Sequence, residues 1–146
     1  MTGINSRATA EPLHIGTSVI DCERALLTVQ IYSWLTVMTI SGEIDATNAD
    51  QLTHRVIGFV PDDGALIVDM VETEFIGIDG LRTLFAMNME CLRTDTRWAL
   101  IGSHAVHRLL LVGDREHLVP EVRSATEALH RVRRARRSRG RLRLVT

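Results

Sequence analysis

The 146-residue chain contains no lysine, only two cysteines, and no apolar run approaching the roughly 20 residues that a membrane-spanning helix requires. Its N-terminus has no charged region followed by an apolar core, so no signal peptide is expected. Cys22 and Cys91 stand alone, without a CxxC spacing. Isolated thiols of this kind suit a reducing cytosol and argue against a disulfide framework or a thiolate metal site. Also missing are a Ser-His-Asp order, a Gly-rich phosphate loop and a paired-carboxylate motif, so no enzyme is expected. No internal repeat is present. A cytoplasmic protein of one domain follows, long enough to bury a real core.

What is present is a division of charge. The formal net charge is −1, and all 17 basic residues are Arg. Eight of them fall between Arg131 and Arg143, whereas all 18 Asp and Glu precede that segment. An acidic body therefore carries a basic tail. The tail offers phosphate contacts to nucleic acid or to an anionic surface. No aromatic residue interleaves its arginines, so it lacks a platform on which bases would stack. Contact between this tail and the acidic body is the intramolecular alternative, and a solvated, disordered end without a partner is the reading favoured over both.

Residues 1–20 mix Ser, Thr, Gly and Pro with few periodic apolar positions and read as a loose leader. A domain is expected over residues 21–132, followed by an arginine-rich tail at 133–146. Leu26–Tyr32 and Leu35–Ile40 alternate apolar and polar residues, as in a hairpin linked through Ser33-Trp34. Asp45 or Thr47 is placed to cap a helix with Ala49, Leu52, Val56 and Phe59 inward. Pro61-Asp62-Asp63-Gly64 is a turn. Ala65–Met70 reads as a central strand, broken only by Asp69.

A second helix then presents Leu81, Leu84, Phe85, Cys91 and Leu92 on one face. Trp98–Gly102 is a further buried strand, and Ser103 caps a third helix ending near Gly113. His117–Pro120 is expected as a brief edge strand. Ser124 caps a last helix with Ala128, Leu129 and Val132 inward. The order implies an α/β fold, a mixed sheet of about five strands with four helices packed against it.

Chemistry concentrates at Phe75-Ile76-Gly77-Ile78-Asp79-Gly80-Leu81, between the central strand and the second helix. Asp79 is a natural N-cap, and Gly77 permits backbone angles that other residues resist. His104 and His107 stand three apart on the third helix, with Asp114 and His117 following. Two imidazoles at that spacing suit a metal, but no neighbouring Cys supports one. No metal or other cofactor is expected, and Cys91 at helical spacing reads as core rather than nucleophile.

Several of these residues together resemble the STAS domain family, in particular its single-domain anti-sigma factor antagonists. The resemblance rests on Ile40-Ser41-Gly42-Glu43-Ile44-Asp45, on Leu66–Met70, on Phe75-Ile76 and on Gly80-Leu81. Ser103–Leu110 is similar to a further family segment, with His104-Ala105 departing in its middle. The resemblance covers roughly residues 26–132. It implies a protein that regulates transcription by binding a kinase-fold anti-sigma factor and so releasing a sigma factor, with no chemistry on this chain.

The family typically carries Asp-Ser-Ser-Gly in the loop, and its first serine accepts phosphate from the partner kinase. Here the four positions are Gly77-Ile78-Asp79-Gly80, and Ile78, at the acceptor position, has no hydroxyl. Three outcomes follow: permanent competence, permanent inactivity through the charge of Asp79, or a switch elsewhere, as on Thr73 or Thr83. The first is favoured, because Asp79 at a helix start is spent on the helix and is a poor copy of phosphate.

The partner surface implied comprises Glu43, Asp45, Thr47, Gly77, Ile78, Asp79 and Leu81, centred on Ile78. The alternatives are a small-molecule sensor or stressosome-like scaffold on the same fold, and a nucleic-acid binder acting through the tail.

Overall fold

The structure, a computed structural model, describes residues 11–133. Its elements in chain order are β1 (His14–Cys22), β2 (Ala25–Tyr32), β3 (Leu35–Ile44), α1 (Ala49–Gly58), β4 (Ala65–Met70), β5 (Thr73–Ile76), α2 (Ile78–Arg93), β6 (Arg97–Gly102), α3 (His104–Gly113) and β7 (Glu121–Val122). A final helix, α4, occupies residues 125–133. Among the described residues no helix is long and apolar enough to cross a membrane.

The strands form one mixed sheet in the order β1-β2-β3-β4-β6-β7, with β5 added to the far end of β3. β1, β2 and β3 pair antiparallel, and β3, β4, β6 and β7 run parallel. Seven strands stand among the described residues where about five were expected. One reason is that residues 14–20, read as loose leader, belong to β1, which pairs along β2 from Cys22↔Ala25 to His14↔Tyr32. β1 is an edge strand with Ile15 and Val19 exposed. Its inward positions alternate as Gly16, Ser18, Ile20 and Cys22, half of them small or polar, so the sequence shows no apolar period of two. The short β5 was missed because only its ends, Thr73 and Ile76, are buried. His117–Pro120 is loop, and the edge strand β7 follows it at Glu121–Val122.

Period-two burial divides the sheet into two faces. Leu27, Val29, Met38, Ile40, Leu66, Val68 and Leu100 pack with α1, α2 and α3 into the larger core. Leu35, Ala65, Ile67, Ala99 and Ile101 meet Ala128 and Val132 of α4 on the opposite face. The caps on Ser103 and Ser124 form as expected. Ser103 Oγ accepts from Val106 N at 3.2 Å, and Ser124 Oγ accepts from Glu127 N at 3.1 Å while Glu127 accepts from Arg123 N. These bonds satisfy amides that a helix start otherwise leaves orphaned. On α2, Met87 takes the inward place assigned to Leu92, which is exposed. The arginine-rich tail lies outside the described residues except for Arg133, which is helical in α4.

What positions the β5–α2 junction is a change of partner along β3. Its first half pairs with β4 up to Thr39↔Asp69, and its second half pairs with β5 from Gly42↔Thr73. Gly42 makes the change with φ +96, where a side chain would also run into the Arg24 carbonyl oxygen. This left-handed conformation suits glycine alone among common residues. Thr73 Oγ1 then donates to Ile40 O at 2.7 Å, and Gly77 N donates to Ile44 O at 2.9 Å. α2 thus starts where β3 ends.

The first turn of α2 lies against that strand end with no room to spare. A Cβ on Gly80 would run into the Ile76 side chain and come within 3.2 Å of Ile44 Cγ2. Gly80→Val should destabilise the fold by about 1–3 kcal/mol, the usual cost of overpacking. Urea denaturation should show a lower midpoint with an unchanged slope. An unmoved midpoint would mean that Ile76 gives way freely.

Candidate functional site

Two loops meet at the carboxyl end of β3: the turn from Ile44 into α1, and the turn from Ile76 into α2. Asp45 does not cap α1, and neither does Thr47. The N-cap is Asn48. Asp45 Oδ1 instead accepts from Thr47 N at 2.9 Å and from Thr47 Oγ1 at 2.6 Å, closing a local turn before the helix begins. Asn48 is fully buried. Its amide nitrogen donates to Cys22 O at 3.0 Å and Glu43 O at 2.8 Å, and its oxygen accepts from Asp45 N at 3.0 Å. One side chain thereby ties β1, β3 and the start of α1 together.

The second loop also departs from expectation. α2 begins at Ile78 with Gly77 as its N-cap, so Asp79 lies inside the first turn and caps nothing with its side chain. Its carboxylate still faces the positive end of the helix, a favourable place for an anion. It also stands 3.8 Å from the Arg82 guanidinium. Gly77 has φ −91 and ψ −175, ordinary extended backbone, and a Cβ there would meet nothing closer than 3.7 Å. The conformational freedom expected of Gly77 is therefore unused; glycine is needed at 42 and 80 instead.

The remaining expected residues divide by exposure. Ile78 is 60% exposed and Phe75, opposite Glu43 in the β3–β5 register, is 51% exposed. Glu43, Asp45, Gly77 and Asp79 are half-buried around them, and Thr47 is exposed. Leu81 does not belong with these. It is buried in the core, one helical turn on from Ile78, with its side chain against Gly113 of α3. Thr73 and Thr83, the alternative acceptor positions, are each 1% exposed. Their hydroxyls are engaged, Thr73 with Ile40 O and Thr83 with Thr53 Oγ1 at 2.7 Å. A kinase would have to unfold the sheet edge or the α1–α2 contact to reach either one.

Arg24, from the β1–β2 turn, completes the site. Its guanidinium lies 3.0 Å from Glu43 and 2.7 Å from Asp45. These contacts span 19 and 21 positions in the chain, so no local pattern announces them. Phe75 belongs to the stretch singled out in the sequence but was not counted in the implied surface, because nothing local shows that it is exposed. The hydrogen bonds from Thr47, and less strongly the charge of Arg24, hold the Asp45 carboxyl below its ordinary value.

Two of the groups weighed as metal ligands are occupied otherwise. The buried Asp114 accepts from Leu118 N and Val119 N, both at 2.8 Å, and His107 faces Glu121 at 3.0 Å. Among the described residues no three His, Cys, Asp or Glu are disposed to hold a metal ion. Burial pushes the Cys91 thiol up to about 12, with Glu90 adding to the shift, so it stays protonated and serves as core.

With this geometry in place, the family model described as STAS domain matches residues 27–119. The chain belongs to the STAS domain family. It is 30% identical over 119 residues to Osmosensory protein A of Mycobacterium tuberculosis (strain ATCC 25618 / H37Rv), covering 79% of this chain and 75% of that protein. The fold is similar to an anti-sigma factor antagonist from Mycobacterium paratuberculosis, with a TM-score of 0.64 and 26% identity over 81% of this chain and 95% of that one. It is also similar in fold to the anti-sigma factor antagonist SpoIIAA in its unphosphorylated form, with a TM-score of 0.55 and 16% identity over 81% and 96% of the two chains.

Two outcomes test this local construction of the STAS domain. Asn48→Ala strands two carbonyls and one amide, and should cost at least about 2 kcal/mol in urea denaturation. For Asp45, whose folded pKa is depressed, the stabilisation is present above its unfolded value of about 3.9 and is lost as pH falls through the folded value. Carboxyl NMR titration should therefore find Asp45 below the ordinary range. Thr47→Val should raise it more than Arg24→Gln does, and the reverse ranking would show that charge rather than hydrogen bonding sets it.

Proposed function

We propose that this STAS domain is an anti-sigma factor antagonist that binds a kinase-fold anti-sigma factor and carries no phosphorylation switch at position 78. The supporting observation is Ile78 itself, exposed at the first position of α2 beside the exposed Phe75. Covering the exposed half of each would be worth about half of the roughly 1.5–3 kcal/mol that full burial of such a side chain contributes. The surface proposed is Ile78 and Phe75 at the centre, with Glu43, Asp45, Thr47, Gly77 and Asp79 around them. Leu81 supports it from beneath. The similarity to the Mycobacterium paratuberculosis antagonist favours this partner class.

In this reading the protein is constitutively competent. Position 78 has no hydroxyl, and the buried, hydrogen-bonded Thr73 and Thr83 are poor substitutes. Asp79 is engaged by the helix start and by Arg82, so it does not act as a standing mimic of phosphate. No reaction occurs on this chain; release of the sigma factor follows from competition for the anti-sigma factor, and transcription is regulated in that way.

The test is titration calorimetry of candidate kinase-fold anti-sigma factors from the same genome, with wild type and Ile78→Glu. Wild type should bind, and its affinity should not fall when ATP is added. Ile78→Glu should bind at least tenfold more weakly, about 1.4 kcal/mol, because an unpaired carboxylate would be buried. Equal affinities would sink the proposed surface. Binding by neither protein would leave the STAS fold without this partner.

A further inference from the structure

The opposite pole of the molecule, at the amino ends of the parallel strands, holds a cleft of about 220 Å³ between the last turns of α2, the start of β6, the 117–120 loop and α4. Arg97 reaches it from β6, His117 from the loop and Arg131 from α4. Among the described residues no carboxylate lines it. Four other arginines meet acid: Arg24 meets Glu43 and Asp45, Arg82 meets Asp79, Arg93 meets Glu90, and Arg133 meets Glu11. Arg97, His117 and Arg131 have no ion pair among the described residues.

Two guanidinium cations facing one cleft without a counter-charge repel one another, an arrangement that an anion relieves, and the His117 imidazole beside them adds a hydrogen-bonding group. The walls limit what that anion is. Leu92, Leu118 and Pro120 present apolar surface, while Trp98 forms the base with its indole N–H already given to Asn88 Oδ1 at 3.0 Å. That bond fixes the Asn88 amide with its oxygen on the indole, so its NH2 remains able to donate to other partners. The loop bearing His117 is pinned from behind, because the Asp114 carboxylate takes Leu118 N and Val119 N. The volume falls below the roughly 300–1,000 Å³ typical of drug-sized ligand sites, which restricts the occupant to a small molecule.

We propose that this cleft binds a small organic anion, a carboxylate or phosphate head joined to a compact apolar body. The head lies among Arg97, His117 and Arg131, and the body lies against Leu92, Leu118 and Pro120. The inference is independent of the partner surface around Ile78 and goes beyond it.

The test uses the full ¹⁵N-labelled chain with three probes: sodium benzoate, neutral benzamide and inorganic phosphate. The readouts are the Trp98 indole and Asn88 side-chain amide resonances. Benzoate should shift both along a saturable curve, benzamide should shift neither, and phosphate should bind at least fivefold more weakly than benzoate. Arg97→Gln and Arg131→Gln, both at exposed positions, should each weaken benzoate at least fivefold while leaving the free-protein spectrum otherwise intact.

Shifts that grow linearly without saturating, or variants that bind like wild type, would overturn the site. Equal binding of benzamide would overturn the role of the cations. Phosphate as tight as benzoate would overturn the apolar half, leaving a site for bare oxyanions.

Discussion

Strand β3 cannot complete both of its parallel pairings without Gly42. Up to Thr39 it is held by β4, and from Gly42 onward by β5. The backbone between takes a φ of +96 with the Arg24 carbonyl pressed where a side chain would be. Everything near the proposed partner surface inherits its position from that bend. It directs Ile44 to Gly77, and Gly77 is the residue from which α2 grows. It also brings Glu43 and Asp45 alongside the β1–β2 turn, where Arg24 waits. A regular strand would carry its carboxyl end straight on beside β4, and the two helix starts would not share a corner.

Burial then explains why the corner stays in place. Asn48, Thr73 and Gly80 are buried against it, and each would be poorly tolerated there without its specific partner. Asn48 exchanges its amide for three backbone groups, Thr73 gives its hydroxyl to Ile40 O, and Gly80 admits Ile76. A buried polar side chain is costly when unpaired and directional when paired. The corner is therefore rigid by hydrogen bonding, whereas the body of the sheet is rigid by apolar packing.

That contrast also governs what was legible in the sequence. Elements with enough burial announce themselves: β2, β3 and the inward sides of α1, α3 and α4 follow from period, and β4 and β6, covered on both faces, from short continuous apolar runs. So do the caps on Ser103 and Ser124, which are local in the chain. β1 and β5 escaped because an edge strand and a four-residue add-on carry too little burial to impose a period. At the corner, Ile78 and the motif around it were legible, but the roles within it were not. Asp45, Thr47 and Asp79 have the composition of caps, yet Asn48 and Gly77 hold those places. Leu81 shares the motif with Ile78 and lies about 60° from it around the axis, on nearly the same face, but one turn further in, where α3 covers it while Ile78 at the helix start stays open. Arg24 is invisible because pairing across two turns of chain leaves no spacing to read.

The electrostatics of the corner are consistent with a domain that needs no phosphate. Glu43 and Asp45 are two negative charges, but one guanidinium lies within 3.0 Å of both, and Asp79 has Arg82 nearby. What faces solvent between them is Phe75 and Ile78. A phosphate here would add about −1.5 to −2 charge and overwhelm such a balanced rim, the kind of change that makes a switch effective. With isoleucine at the same place the balance has only one state. On the proposed reading, control of this protein must therefore come from how much of it is present, or from a site elsewhere on the molecule. The cation-lined cleft lies at the far end of the helix that Ile78 begins, with Asn88, Cys91 and Leu92 on its wall. A single 16-residue helix is the shortest mechanical path between the two.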